Sequence, residues 1–318
     1  MLKCANAPWD TSEHRPTFRI EYVLASVLVA CTTFLSSCAS TAPATAVATV
    51  KTMRVNGYDL AYVERGSGVP VVLVHGSLSD YRSWVAQMEP LGARHRVISL
   101  SLRHFYPERW DGKGDDFSIE QHARDVASFI QGLNAGRVHL VAHSRGGNVG
   151  LHVAKWHPEL LRSLVLADAS GLEVLLPKTQ TGASDAASGA AARKVLQQRL
   201  LAGEVDRGLT EYIDFTTGTG AWAASSEESR QVRRDNAWTI IGDVGRPQTT
   251  CAEGAKITMP TLLINGEVSP LRYRQMFDVF QTCLKDRERV FIPKASHGMF
   301  RTHPDAINAA VLSFLDRH

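Results

Sequence analysis

Cysteine is scarce in this chain, and none of its five cysteines forms a Cys-x-x-Cys pair or has the His/Cys spacing of a metal site. The sequence therefore predicts no bound metal, and it implies no cofactor. Basic clusters are also missing: the formal net charge is +3, and without a nucleic-acid motif we expect no nucleic-acid partner. What the chain does have is 318 residues, of which 44% are hydrophobic and 21% charged. That composition provides enough core for one large α/β domain with an insertion.

The N-terminus carries a short apolar run, from Tyr22 to Ser37, which follows Arg15 and Arg19. The run is shorter than the roughly 20 residues that a membrane-spanning helix needs, and positive charge before a short apolar run is typical of a secretory signal. Its end, Leu35-Ser36-Ser37-Cys38, resembles the lipobox of bacterial lipoproteins. The resemblance implies that residues 1–37 are a signal peptide and that Cys38 is lipidated. A simple membrane anchor and a cleaved soluble signal are the alternatives.

Export has consequences for the residues that follow. By the same resemblance, Ala39 after the cysteine fits the outer membrane, with the domain in the periplasm or at the cell surface. Residues 39 to 50 are uncharged and rich in Ala, Thr and Pro, which predicts a flexible tether over 38–51. In an oxidising compartment, Cys251 and Cys283 form a disulfide or remain as two free, buried cysteines, and the sequence leaves both alternatives open.

A tight turn is predicted where the apolar run Val138 to Ala142 leads to Ser144 and then to Gly146. This small-x-Ser-x-Gly pattern is a form of the nucleophile elbow, in which a strand turns sharply into a helix and the residues two before and two after the serine must be small. Ala142 and Gly146 meet that need, and the turn lifts the Ser144 hydroxyl clear of the sheet. The first N–H groups of the helix point to the same place, where they stabilise a developing oxyanion.

Two further motifs accompany the elbow, in the chain order of the α/β-hydrolase family. His75-Gly76-Ser77 ends the buried strand that starts at Pro70 and resembles the oxyanion loop of that family. Ala295-Ser296-His297-Gly298, after the last predicted strand, resembles its catalytic-histidine loop. The resemblance covers the chain from about residue 52 to its end. It implies an α/β fold of the α/β-hydrolase type, with a mostly parallel, doubly wound sheet, helices on both faces and a helical cap insertion.

The resemblance also implies the roles of individual residues. Ser144 is the expected nucleophile, His297 the expected base, and the N–H groups of Ser77 and Arg145 the expected oxyanion hole. His75 is a tempting second base, but the corresponding histidine has a structural role in the family pattern.

The acid of the triad is the open point, because a carboxylate is needed to hold the imidazole tautomer. In most relatives an Asp stands three places after the glycine that ends the strand before last, and counting from Gly266 that place is Ser269. Asp168, at the end of the preceding strand, is the preferred candidate, since some family members, haloalkane dehalogenases among them, keep their acid there. Glu267 is the alternative, because its longer side chain starts from the usual strand.

The expected domain organisation is a hydrolase core over residues 52–170 and 256–318, interrupted by a helical cap over 171–255 in which the strand–helix rhythm stops. Helical patterns in the cap are predicted around Val195–Leu201, Leu209–Phe215 and Ser229–Ile241, after a low-complexity stretch over 179–192. Such a cap is expected to roof a pocket for a small-molecule substrate.

The expected function is that of a carboxylesterase-like serine hydrolase, which cleaves an ester or lactone of a small to medium apolar substrate through an acyl-enzyme on Ser144. Carbon–carbon bond hydrolysis and cofactor-free perhydrolysis use the same three residues and stay open. The alternative of another class is a non-catalytic lipoprotein that keeps the fold as a binding module. The membrane is an expected partner through the lipid anchor, and the sequence does not indicate an oligomeric state.

Overall fold

The computed structural model describes residues 49–176, 180–243 and 245–318. The predicted signal peptide (residues 1–37), the predicted lipidation site Cys38 and most of the predicted tether lie outside the described residues. Within these ranges, every helix is too short or too polar to span a bilayer.

One sheet of eight strands organises the chain. Its strands are β1 (Lys51–Val55), β2 (Tyr58–Arg65), β3 (Pro70–Val74), β4 (Arg96–Leu100), β5 (Val138–His143), β6 (Leu161–Ala167), β7 (Thr261–Gly266) and β8 (Arg287–Ile292). Their spatial order is β1-β2-β4-β3-β5-β6-β7-β8. The first two strands form a hairpin at the Asn56-Gly57 turn, a dipeptide that favours such turns, and β2 pairs antiparallel with β4. All other neighbours are parallel, which confirms the mostly parallel sheet expected from the sequence.

The helices connect these strands or follow them. They are α1 (Val85–Gly92), α2 (Ile119–Gly132), α3 (Arg145–Trp156), α4 (Gln180–Leu201), α5 (Val205–Thr217), α6 (Glu227–Asp235), α7 (Cys251–Gly254), α8 (Leu271–Cys283), α9 (Met299–Thr302) and α10 (Pro304–Leu315). Ser118 caps the start of α2, since its side chain accepts a hydrogen bond from the Gln121 N–H.

Both faces of the sheet are buried, as the continuous apolar strands require. On one face, Val72 of β3 shares a core with Phe129 of α2 and Leu151 of α3. On the other face, Val71 of the same strand packs in a second core with Phe314 of α10. Successive residues of a strand point to opposite faces, so one short apolar strand serves two layers of helices.

The chain leaves the sheet between β6 and β7 and forms α4 to α7, within the range predicted for the cap. A third apolar cluster holds this segment together: Leu196, Leu209 and Ile213 pack with Trp222 and with Leu78 from the loop after β3. Helix α4 begins earlier than the pattern around Val195 suggested, because the Ala-rich stretch before it is itself helical, in keeping with the helix propensity of alanine.

A disulfide joins Cys251 of α7 to Cys283 of α8, with an S–S distance of 2.05 Å. Of the two states that the sequence left open for these cysteines, the structure therefore contains the bonded one. The bridge connects the last helix of the cap segment to the helix that follows β7, and so fixes the point at which the chain returns to the sheet.

Candidate active site

Ser144 stands at the sharp turn between β5 and α3, in the conformation that a nucleophile elbow requires. Its φ of 54° and ψ of −120° are strained for a residue with a side chain. The surroundings enforce the turn, since a Cβ on Gly146 would lie 2.4 Å from the His75 carbonyl oxygen. Glycine at this position is thus a steric necessity, as the motif predicted.

A chain of hydrogen bonds joins the three residues expected to form the triad. The Ser144 Oγ lies 3.0 Å from His297 Nε2, and His297 Nδ1 lies 3.2 Å from Asp168 Oδ2. The residues come from the ends of β5 and β6 and from the loop after β8, which meet at the carboxyl edge of the sheet. With the proton on Nδ1 donated to the carboxylate, Nε2 is free to accept the serine proton.

Two polar side chains, one at the end of β7 and one in the loop after it, hold the Asp168 carboxylate in place. Asn265 Nδ2 donates to Oδ1 at 2.8 Å, and Ser269 Oγ donates to Oδ2 at 2.6 Å. Ser269 occupies the place at which most relatives carry the acid, and here it supports an acid from β6 instead. Glu267, the alternative acid, accepts a hydrogen bond from the Lys294 N–H. The structure thus brings Asp168, rather than Glu267, to His297.

Two rings contact the imidazole of His297 and restrict its orientation. Tyr273 of α8 stacks on it, with ring centroids 4.5 Å apart and an interplanar angle of 10°. The centroid of the His143 ring lies 4.6 Å away, and the His143 Nε2 donates to the His297 carbonyl at 2.9 Å. Burial and the neighbouring His297 lower the pKa of His143 well below its usual value, so it stays a neutral donor. The sequence motifs did not indicate either neighbour.

One buried carboxylate connects the two residues expected to form the oxyanion hole. Asp243, in the cap segment, accepts hydrogen bonds from Ser77 Oγ at 3.5 Å and from Arg145 Nε at 3.3 Å. It also accepts two hydrogen bonds from Arg246. Burial opposes ionisation of Asp243, but the charges of Arg246 and Arg145 outweigh it and lower its pKa to about 2. We call this arrangement the Asp243 bridge; it ties the cap segment to the loop after β3, through Ser77, and to the start of α3, through Arg145.

The side chain of Arg145, directly after the nucleophile, has further fixed contacts. Its Nη1 donates to His122 Nδ1 at 2.9 Å, and its guanidinium lies 4.7 Å from the Phe117 ring centroid. Burial and the nearby Arg145 charge lower the pKa of His122 well below its usual value, which leaves the imidazole neutral and able to accept. A rigid side chain here restricts the backbone N–H at the first position of α3, which has no partner within the helix.

His75 has the structural role that the sequence analysis assigned to it. Its Nδ1 donates to the Gly76 carbonyl at 2.8 Å, and its Nε2 accepts from the Leu102 N–H at 3.0 Å. Burial lowers the pKa of His75 to about 4, so the ring is neutral. Both ring nitrogens therefore serve the loop, and neither is available to a substrate.

A cavity of about 640 Å³ lies over Ser144 and His297, a size suited to a small molecule. Residues of α5, among them Tyr212 and Phe215, contribute to its lining. The sequence predicted an apolar substrate, but the lining is not apolar throughout, since Arg233 of α6 and Arg301 of α9 are part of it. No motif indicated these arginines, because Arg233 lies in the cap and Arg301 beyond the catalytic-histidine loop, and no local pattern links the two segments.

Comparison with known proteins places this geometry in context. The model of the Alpha/beta hydrolase family matches residues 71–310. The chain is 26% identical over 281 residues to the 2-hydroxy-6-oxo-6-(2'-aminophenyl)hexa-2,4-dienoic acid hydrolase of Metapseudomonas resinovorans, covering 83% of this chain and 90% of that protein. It is 24% identical to the (E)-2-((N-methylformamido)methylene)succinate hydrolase of Acinetobacter baylyi, covering 84% of this chain and 98% of that protein. Among solved structures, an esterase from Thermogutta terrifontis is similar in fold, with a TM-score of 0.66, 22% identity and coverage of 84% and 97%.

Proposed function

Because the chain belongs to the Alpha/beta hydrolase family, we propose that it is a serine hydrolase that cleaves an ester or lactone through an acyl-enzyme on Ser144. The observation that carries this proposal is the 3.0 Å contact between Ser144 Oγ and His297 Nε2. A serine hydroxyl is a weak nucleophile by itself and needs a base within hydrogen-bond reach.

In the proposed mechanism, His297 takes the proton from Ser144 as the hydroxyl attacks the substrate carbonyl, and Asp168 stabilises the imidazolium that forms. The N–H groups of Ser77 and Arg145 stabilise the oxyanion of the tetrahedral intermediate. The leaving alcohol takes the proton back from His297. Water, activated by the same imidazole, then attacks the acyl-enzyme and releases the acid.

An active-site fluorophosphonate probe tests this proposal. We expect the wild type to be labelled and Ser144→Ala to remain unlabelled. Ser79→Ala is the matched control, because Ser79 borders the same cavity outside the triad, and it should label like the wild type. A folded wild type that takes no label would contradict the proposal and would favour the non-catalytic binding module. A panel of p-nitrophenyl esters of different chain length then identifies the acyl group.

Carbon–carbon bond hydrolysis is the second candidate, favoured by the likeness to the Metapseudomonas protein over most of both chains. A 2-hydroxy-6-oxo-dienoic acid has a ketone that Ser144 is suited to attack. The same oxyanion hole would stabilise the oxyanion that this attack forms. Loss of the absorbance of such a dienoic acid, measured beside p-nitrophenyl ester hydrolysis, decides between the two. A rate on the dienoic acid at least tenfold above that on every ester would replace the esterase proposal.

We further propose that the protein is exported and anchored by lipid at Cys38. The disulfide between Cys251 and Cys283 supports this proposal, because structural disulfides persist in oxidising compartments. Metabolic labelling with a fatty-acid analogue tests it. We expect label in the wild type and none in Cys38→Ser, and an unlabelled wild type of full length would contradict the proposal.

A further inference from the structure

Two arginines of the cavity lining, Arg233 on α6 and Arg301 on α9, contrast with Arg145 and Arg246 near the same site. Arg145 and Arg246 share the carboxylate of Asp243. By contrast, neither Arg233 nor Arg301 has a carboxylate within ion-pair distance among the residues that the structure describes. Both nevertheless border the cavity that contains Ser144.

Arg233 is nine-tenths buried, with 9% of its surface exposed, and its Nη1 donates to Ser225 Oγ at 2.8 Å. Among the residues that the structure describes, this neutral hydroxyl is the one acceptor of the Arg233 guanidinium, so most of its five N–H donors are unused. Arg301 is partly buried, and within the described ranges its side chain makes neither a hydrogen bond nor an ion pair. Two guanidinium groups with unused donors thus border one cavity.

Asp80, whose charge acts on Arg301, does not neutralise the two arginines, because its carboxylate is already hydrogen-bonded to other side chains. Asp80 is fully buried and accepts from Arg82 Nη2 at 2.7 Å and from Asn236 Nδ2 at 2.6 Å. Its charge and that of the exposed Glu228 reach Arg301 only at a distance. The pair therefore keeps an excess of positive charge inside the protein.

This excess charge is unfavourable in the absence of a ligand. Burial, and then the charge of Arg301, lowers the pKa of Arg233 to about 9, and burial lowers that of Arg301 as well. Buried charges are normally paired, since an isolated charge loses its hydration without compensation. An anion placed between the two groups would supply that compensation, and the planar fork of arginine fits a carboxylate particularly well.

We propose that Arg233 and Arg301 form a subsite for a carboxylate of the substrate, so that the enzyme hydrolyses esters or lactones of carboxylate-bearing molecules. This inference rests on the proposed function for the reaction itself, but the anion site exists independently of catalysis. It replaces the apolar substrate that the sequence predicted. The reacting carbonyl of the substrate lies at Ser144. Its carboxylate, bound by Arg233 and Arg301 in the same cavity, fixes the position of the substrate.

A pair of esters that differ in one charge tests the subsite. The mono-p-nitrophenyl ester of adipic acid carries a free carboxylate, and p-nitrophenyl methyl adipate is its neutral counterpart. We expect the wild type to favour the charged ester by about 10- to 100-fold in kcat/KM, since hydrogen bonds to charged groups have this effect. In Arg301→Met and Arg233→Met that ratio should fall to near one. The matched control is Lys194→Met, which removes a charge from an exposed residue of the same cavity lining and should keep the ratio.

Binding to the inactive Ser144→Ala variant separates this inference from the proposed function. Adipate is titrated by calorimetry, with inorganic phosphate as a second probe that distinguishes a carboxylate site from a general anion site. Adipate binding that is lost in Ser144→Ala/Arg301→Met supports the subsite even if no ester is cleaved. Cleavage of both esters at equal rates, with Ser144 required, would overturn the subsite and leave the hydrolase intact. Phosphate binding equal to that of adipate would overturn the assignment to a carboxylate.

A conservative variant covers the case in which the methionine substitutions do not fold. Arg301→Lys keeps the charge but removes the planar fork, so the preference for the charged ester should fall at least threefold while circular dichroism stays that of the wild type. An unchanged preference in this variant and in Arg233→Lys would overturn the subsite.

Discussion

The acid of the triad offers the sharpest quantitative prediction, since the sequence left two carboxylates open and the structure brings one of them to His297. In Asp168→Asn, the side chain keeps its size and its partners Asn265 and Ser269, but it loses its charge. If the new amide turns its NH₂ toward His297, Nδ1 must accept a hydrogen bond, and the imidazole proton moves to Nε2. Nε2 then donates to Ser144 and no longer accepts its proton, so the base is lost.

The magnitude follows from the distance between the two groups. An imidazolium and a carboxylate 3.2 Å apart attract each other by about 5 kcal/mol at an effective dielectric constant of 20. This attraction exists only after His297 has taken the proton, so it lowers the barrier rather than stabilising the resting enzyme. Each 1.36 kcal/mol corresponds to tenfold in rate, and we expect Asp168→Asn to lower kcat by about 10³- to 10⁴-fold.

The assay is steady-state hydrolysis of a p-nitrophenyl ester, with thermal unfolding to verify the fold. Glu267→Gln is the matched control, because it removes one carboxylate oxygen from an exposed side chain whose contact is the Lys294 N–H. This control should retain kcat within about twofold of the wild type, as expected for a surface contact. An Asp168→Asn protein that is folded and retains more than a tenth of the wild-type kcat would refute the reasoning.

A second-site variant extends the test. Ser269 Oγ lies 2.6 Å from the Asp168 carboxylate. An aspartate at position 269, in the loop after β7, therefore places a negative charge where the Asp168 carboxylate lies in the wild type. Ser269→Asp added to Asp168→Asn should therefore recover at least tenfold of the lost kcat. No recovery in a folded double variant would mean that the position of the charge, and not its presence, determines the rate.

Asp243→Asn is expected to lower kcat about 10- to 100-fold in the same assay, because the Asp243 bridge positions the oxyanion donors. Complete loss of one donor costs about 10²- to 10³-fold in kcat. An unchanged kcat would argue against the bridge. Reduction of the disulfide, or Cys251→Ser with Cys283→Ser, should lower the free energy of unfolding by about 3–4 kcal/mol for a loop of 32 residues, measured by denaturant titration. The same titration at different pH should show a free energy of unfolding that is greatest above pH 6.5 and declines toward pH 4. Burial lowers the pKa of His75 and of His139 to about 4 in the folded state only, so between these pH values the unfolded chain binds more protons than the folded one. Equal stability at pH 7 and pH 4.5 would contradict this last expectation.

Much of the core could be predicted because its signals are local. The strand Leu161–Ala167 is marked in the sequence by a run of apolar residues, and the helix Pro304–Leu315 by its initiating proline; both signals act within a few residues of themselves. The cap was harder to predict. The pattern over Ser229–Ile241 suggested one helix, whereas the structure has α6 up to Asp235 and a separate 3₁₀ turn over Ala237–Ile240. Asn236 separates the two, and its side chain bonds to Asp80 and to the Tyr106 N–H, partners from distant loops that have no signature in the local sequence.

The sequence by itself indicated where the nucleophile stands, because the small-x-Ser-x-Gly pattern around Ser144 lies within one short run of the chain. The backbone that demands a glycine at position 146 comes from the end of β3, where the His75 carbonyl oxygen lies 2.4 Å from the place of a Cβ. Only the tertiary structure decided which carboxylate faces His297. The pairing of β6 with β7 places Asp168 against Ser269, a contact between residues about a hundred positions apart. The same holds for Arg233 and Arg301, which come to one cavity from two segments that share no pattern. A contiguous motif can be recognised from neighbouring residues in the sequence, but the contact between distant charged side chains depends on how the whole chain packs.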